Sequence, residues 1–215
     1  MNRLLTLLTT IAMAITATSA QTSLPTPTHA ADGMSLDAVL QQRRSIREFD
    51  PTRRVDLQTL SNLLWAAAGI NRPDEGKRTN PTALNSQEID LYVFCDKGVA
   101  FYDYANNALV TVAEGDHRAL VAGTAGAFIQ DFVLDAPISI VMVINLNKFT
   151  IPAESGLKMG HVDAGIVSQN INLFCAANGL ATVPRATMDS DGIRRLLGLD
   201  ETHVPAMNNP VGYAK

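Results

Sequence analysis

Charge is scarce in this chain. Lysine, arginine, aspartate and glutamate together make 18% of 215 residues, and the formal net charge is −4. With a pI near 5.5 this excludes a broad nucleic-acid surface. Cysteine is scarcer still: Cys95 and Cys175 stand alone, both in apolar surroundings. That excludes a disulfide scaffold and a multi-cysteine metal centre, and predicts two buried free thiols. Neither has a histidine or a cationic setting nearby, so neither reads as a nucleophile. Several motifs are missing too. There is no G-x-G-x-x-G after a strand, no Walker-type phosphate loop, no G-x-S-x-G elbow and no H-E-x-x-H. His161 and Asp163 are two residues apart and do not share a helix face, so no metal is expected. No internal repeat is evident.

Long apolar runs are also lacking. Leu4–Ile15 comes nearest, but Thr6, Thr9 and Thr10 interrupt it, and a membrane span needs about 20 residues. With Arg3 ahead of it and Ala17-Thr18-Ser19-Ala20 behind, Met1–Ala20 reads as a signal peptide cut after Ala20. This predicts an exported protein, periplasmic or secreted. No cysteine follows the cut, which excludes a lipid anchor there. Residues 21–33, rich in Pro, Thr and Ser, read as a flexible leader. Residues 34–215 then form one domain, with enough apolar content (47% of the chain) to build its own core.

The organising stretch is Lys77–Phe94, KRTNPTALNSQEIDLYVF. Pro81 bars a helix, and small residues make a loop that lets backbone approach a flat ligand. Ile89, Leu91 and Val93 then alternate with Asp90 and Tyr92, predicting a half-buried strand. Upstream, Met34–Arg44 reads as a helix capped by Ser35, and Asp56–Ala68 as a second, capped by Asp56 and ended by Gly69. Trp65 is read as core, with a ring-stacking surface as the alternative. A meander through Val99–Tyr104 and Ala108–Val112 precedes a predicted helix over Thr124–Leu134 and a central strand, Ile138–Ile144. Leu157–Asn178 is the longest helical pattern, with Val162, Ile166, Asn170, Leu173 and Ala177 on one stripe and Gly179 as terminator. Leu180–Thr187 reads as a short strand turning at Pro184. Asp189 caps a helix over Ser190–Leu197, and Val204–Tyr213 reads as an edge strand because of Pro205 and Pro210.

Arg43-Arg44-Ser45-Ile46-Arg47-Glu48-Phe49 places three arginines and a serine at a helix exit. A solvated charge run is one reading. A phosphate clamp is the other, since guanidinium forks match phosphate oxygens two at a time. Ile46 and Phe49 interleave with the charges, so part of this run packs inward.

Three stretches together resemble the FMN-dependent nitroreductase superfamily. Arg43–Phe49 resembles its R-R-S-x-R-x-F motif, Pro81–Gln87 its P-S-x-x-N-x-Q loop, and Gly179–Pro184 its G-L-x-T-x-P segment. Asn209–Tyr213 resembles its closing V-G-Y-P element. The wording of Lys77–Val93 is most similar to the SagB-type (azoline oxidase-like) dehydrogenase subgroup. The resemblance implies an α+β fold: a central, mostly antiparallel sheet flanked by helices, in a homodimer built on a long central helix. It implies one FMN at each end of the interface and NAD(P)H as reductant. Arg43, Arg44, Ser45 and Arg47 would hold the phosphate and ribityl chain, with Lys215 joining them. Pro81, Thr82, Ala83, Asn85 and Gln87 belong to a loop reaching the flavin from the partner subunit. Pro184, Arg185, Ala186 and Thr187 would line the isoalloxazine, a backbone N–H of Ala186 or Thr187 facing N5. Lys77 or Arg78 would face the N1–O2 edge.

No catalytic side chain is implied, because the flavin carries the chemistry. Thr82 stands where the family has Ser, and Ala214 where it has Pro. The function implied is a ping-pong reduction of a nitroaromatic, quinone or similar small acceptor. The alternatives are an FMN-dependent dehydrogenase of a small substrate, or a binding protein of the same fold without turnover.

Overall fold

The computed structural model describes residues 20–28, 33–124 and 128–215. The signal-peptide reading therefore lies outside the described residues, Ala20 excepted. At the centre are two long apolar strands, β4 (Ile89–Cys95) and β7 (Ile138–Asn145), paired antiparallel from Ile89↔Ile144 to Cys95↔Ile138. On one side β4 pairs with β5 (Gly98–Asp103), which pairs with β6 (Ala108–Glu114). On the other side β7 pairs with β9 (His203–Gly212) and β9 with β8 (Ala181–Thr182). Every pairing is antiparallel, so the expected sheet type holds.

Helices cover both faces. On one lie α2 (Leu57–Ala68) and α5 (Ala153–Ala177), packed over Ile89, Leu91, Val93, Ile140 and Met142. The other carries α3 (Arg118–Ala122), α4 (Phe132–Asp135) and α6 (Ser190–Leu197), over Tyr92, Phe94, Val141 and Val143. The short α1 (Leu36–Gln42) lies against α5. Local chemistry sets these helix ends as expected. Ser35, Asp56 and Asp189 each accept a backbone N–H at an N-terminus, and Gly179 takes φ 66° after α5.

Five expectations need correction. First, β4 is buried on both faces, because the second helical layer covers Tyr92 and Asp90 pairs with Lys148. Second, β9 lies inside the sheet: Pro205 and Pro210 sit in its register opposite Val143 and Ser139, with a bulge between Met142 and Val143. Third, no single helix runs over Thr124–Leu134. Gly123 approaches the next turn so closely that a Cβ would lie 2.1 Å from the Phe128 oxygen, and Gly123 bridges Ile129. Within that range only α4, from Phe132, is helical among the described residues, and α3 ends before it at Ala122. Fourth, the leader is not free over its first part. Gln21–Ser23 form β1 on the edge of β6, and the Pro25 carbonyl accepts from Ser61 and Asn107. Its residues 29–32 lie outside the described residues.

Fifth, the buried stripe of α5 is Gly160, Ala164, Val167, Ile171 and Cys175, not the stripe through Val162. Val162 is 64% exposed. Gly160 meets β7 rather than a helix: a Cβ there would lie 2.6 Å from Ile144 Cγ2, and Ile144 is fully buried. Gly160→Ala is therefore expected to destabilise the domain by about 1–3 kcal/mol despite alanine's better helix propensity. Urea unfolding of the two proteins measures it.

Both cysteines are free. Cys175 is buried, which pushes its thiol pKa up, whereas Cys95 is partly exposed.

Candidate functional site

The Arg43–Phe49 segment leaves α1 and is threaded between β8 and the chain end. The Ile46 N–H donates to the Thr182 carbonyl at 2.9 Å, Phe49 bridges Ala214, and the Lys215 N–H donates to the Glu48 carbonyl at 3.3 Å. Phe49 is fully buried and stacks on Phe132, which anchors the run as its apolar interleaving predicts. The polar side chains are left outside. Arg44, Ser45, Arg47 and Lys215 line one shallow concavity of about 400 Å³. Arg43 flanks it as the C-cap of α1.

Arg53, Arg54, Arg118 and Arg194 each have an aromatic or carboxylate partner. Among the described residues Arg43, Arg44 and Arg47 have none. Lys215 has only a long contact, 3.6 Å, to Asp135. Unpaired guanidinium forks beside a hydroxyl suit a phosphate group.

The 184–187 loop follows β8 along the edge of β9, Arg185 pairing with Asn208 three residues from the Thr182↔Val211 pair. Pro184 and Ala186 are exposed, while Arg185 between them is buried. Arg185 therefore corrects the flavin-lining reading: its side chain points into the protein. It donates to Gln130 Oε1 at 2.7 Å, Asn208 Oδ1 at 2.7 Å, and the Val121 and Ala122 carbonyls at 2.9 and 3.0 Å. Burial lowers its pKa to about 10, so it stays charged at neutral pH. Its backbone pairs with Asn208 in both directions. The Asn208 amide also donates to the Thr187 carbonyl at 3.1 Å. The loop is thus clamped on one side, and the N–H groups of Ala186 and Thr187 have no acceptor among the described residues. Two free backbone donors beside an exposed proline fit the edge of a flavin ring. Asn208 was read only as part of a strand. Its signal, adjacent buried asparagines in an apolar strand, becomes legible once β9 is known to be internal.

The 81–87 loop is strained and heavily fastened. Leu84, Asn85 and Gln87 take φ 56°, 55° and 50°, each costing roughly 1 kcal/mol or more in a non-glycine residue. The Ala83 N–H donates to Asp163 Oδ2 at 2.7 Å, the Gln87 N–H to Thr82 Oγ1 at 3.0 Å, and Ser86 Oγ to the Ala83 carbonyl at 2.8 Å. Gln87 Nε2 is spent on the Gly76 carbonyl, so this side chain braces the loop. Strain held by so many contacts marks a functional segment. Thr82 uses its hydroxyl within the loop, which explains why the exchange from Ser is tolerated.

This loop stands at the Ile89 end of β4 and the arginines at the Cys95 end, while the 184–187 loop lies midway, Arg185 bridging Asn208 in the row of Val141 and Tyr92. The six intervening steps span about 20 Å. A single protomer does not bring the two halves together. Lys77 pairs with Glu75 at 2.6 Å. Arg78 is 2% exposed, with its guanidinium 3.3 Å over the Tyr104 ring, so it does not reach a flavin edge. A larger apolar hollow of about 650 Å³ lies over β4–β6 beside the start of α2. It holds none of these residues.

The nitroreductase family profile matches residues 40–213. A nitroreductase relative from Methanocaldococcus jannaschii is 29% identical over 188 residues, covering 83% of this chain and 91% of the relative. An NAD(P)H nitroreductase relative from Bacillus subtilis is 25% identical over 198 residues, covering 82% and 87%. A crystal structure of a nitroreductase relative from Ralstonia eutropha superposes with a TM-score of 0.82 at 32% identity, covering 94% of this chain and 93% of that one. Fold, motif order and these likenesses agree: the chain belongs to the nitroreductase family.

Proposed function

We propose that this protein is an exported, homodimeric FMN-dependent oxidoreductase. The observation that carries this reading is that unpartnered Arg43, Arg44 and Arg47, held against β8, and the free N–H groups of Ala186 and Thr187, just past β8, stand along the same edge of the sheet. One cluster suits a phosphate, the other a flavin ring. Arg44, Arg47 and Lys215 neutralise the phosphate, and the Ser45 hydroxyl donates to it. Pro184 would pack against the ring, and the Ala186 or Thr187 N–H would be the donor available to N5. The chemistry such a cofactor supplies is hydride acceptance from NAD(P)H or another donor, then two-electron delivery to a nitroaromatic, quinone or similar acceptor at the same place.

A second copy supplies the missing loop. The 81–87 loop and the arginines lie at opposite ends of the sheet in one protomer, which a two-fold axis across α5 reconciles. Exposed Met159 and Val162 on α5, with exposed Leu36, Leu40 and Leu84 nearby in the fold, offer the apolar surface. Val162→Glu is expected to yield a monomer by size-exclusion chromatography and to weaken FMN binding more than tenfold. A dimer with unchanged FMN affinity would sink the shared-site reading.

Export is carried by Met1–Ala20. Removal after Ala20 leaves Gln21, the first residue of β1, as the new terminus. Within the family, the wording of Lys77–Val93 favours the SagB-type subgroup. The deciding experiment is an absorbance spectrum of residues 21–215 after incubation with FMN and desalting. Bands near ~375 and ~450 nm that NADH bleaches without oxygen support the enzyme. A colourless protein overturns it, and bound flavin that no donor reduces points to a binding protein instead.

A further inference from the structure

Beneath the 81–87 loop lies a buried charge cluster that the proposed reaction does not use. Glu88 is fully buried, and no other residue donates a hydrogen bond to either of its carboxyl oxygens. Asp163 of α5, itself 5% exposed, lies against it and accepts the Ala83 N–H at 2.7 Å. From β3 (Lys77–Arg78), Arg78 faces the pair but is committed elsewhere. Its Nη1 donates to the Ile89 carbonyl at 3.0 Å and its guanidinium covers Tyr104, leaving Nε and Nη2 unpartnered. Behind Arg78, Lys148 and Asp90 neutralise each other at 2.7 Å.

Two adjacent buried carboxylates with no donor between them cannot both stay ionised. One proton resolves the conflict. Placed on Glu88, it supplies the donor that both lack, and Asp163 remains the acceptor that Ala83 requires. We infer that Glu88 is a positioning residue: its protonated carboxyl donates to Asp163, steadies that carboxylate against the Ala83 N–H, and so holds the strained 81–87 loop in its binding shape. The inference deepens the proposed function, on which the loop meets the partner's cofactor.

Burial, with Asp163 adding to it and the Glu88 N–H and Arg78 opposing, pushes the Glu88 carboxyl up to about 7 from an ordinary 4.5. A folded-state value above the unfolded one means that the native state holds the extra proton in this window. The device is therefore complete at mildly acid pH and is lost as pH rises through about 7.

Hydrogen exchange of the cofactor-free mature protein tests this directly. Protection of the Ala83 amide, corrected for intrinsic exchange, is expected to fall about tenfold in the wild type from pH 6 to pH 8. Glu88→Gln, which keeps a donor, should hold its protection at both values, and Asp163→Ala should lose it at both. Equal wild-type protection at pH 6 and pH 8 overturns the inference. So does a folded Glu88→Gln protein that behaves like Asp163→Ala. FMN titration then reads the link to the cofactor: affinity should weaken at pH 8 in the wild type alone. If the wild type binds no FMN at either pH while the exchange pattern holds, the cofactor reading fails and the positioning role stands.

Discussion

Replacing Arg44 and Arg47 together by alanine is expected to leave the mature protein folded but unable to retain FMN. Both side chains are exposed, and neither has a partner among the described residues. Their loss should change stability by no more than ~0.5 kcal/mol. On the binding side, each charge-assisted bond to a phosphate is worth about 1.5–3 kcal/mol, so affinity should drop by roughly 10²–10⁴-fold. Fluorescence titration with FMN reads the affinity, and thermal melting of the cofactor-free protein reads the stability. Lysine at both positions should recover only part of the loss, because an ammonium keeps the charge but not the fork. Unchanged FMN affinity in the double alanine variant would move the phosphate to another surface.

The largest loss of stability is expected at Arg185. Arg185→Met keeps the apolar stem but removes donors to Gln130, Asn208, Val121 and Ala122 at once. Three of the four orphaned acceptors, on Asn208 of β9 and on Val121 and Ala122 at the end of α3, are buried where water cannot readily replace the guanidinium. A cost of about 3–5 kcal/mol follows, or a fall of about 10 °C in Tm for a domain of this size. Arg185→Lys should rescue little of it, since one ammonium cannot reach four acceptors set in two directions. The 184–187 loop should loosen with it, so the variant's remaining folded fraction should bind FMN weakly. A loss below ~1 kcal/mol would mean that the buried bonds contribute specificity of shape rather than stability.

These three arginines show how unevenly the site could be read from the chain. Arg44 and Arg47 sit in a run whose interleaved Ile46 and Phe49 already say which residues turn inward. Arg185 follows a proline in a short loop, and nothing nearby marks it as buried. Its acceptors lie 23 to 64 residues away, and only the packing of α3 and β9 brings them together. Helix termini were readable at Ser35, Asp56 and Asp189, because a cap bonds to an N–H three residues on. The helix expected over Thr124–Leu134 failed for the opposite reason. Apolar spacing favoured it, but the close approach of Gly123 to Phe128 breaks it, and that approach is set by the fold around it. On α5 two stripes compete, and the smaller residues win the core because Ile144 of β7 leaves no room for larger ones.

By itself, then, the sequence determined the main helices α1, α2, α5 and α6 with their caps, the central strands, and the three segments that form the candidate site. Each of these depends on residues close together in the chain, where spacing and side-chain type act directly. Only the tertiary structure decided that β4 and β9 are covered on both sides, that Arg185 and Gln87 brace their loops, and that Glu88 and Asp163 share a buried site. It also decided that the 81–87 loop and the arginines stand at opposite ends of the sheet in one protomer. Burial, and the protonation it imposes, depend on what the rest of the chain packs against a residue, and that sum is not written in any local pattern.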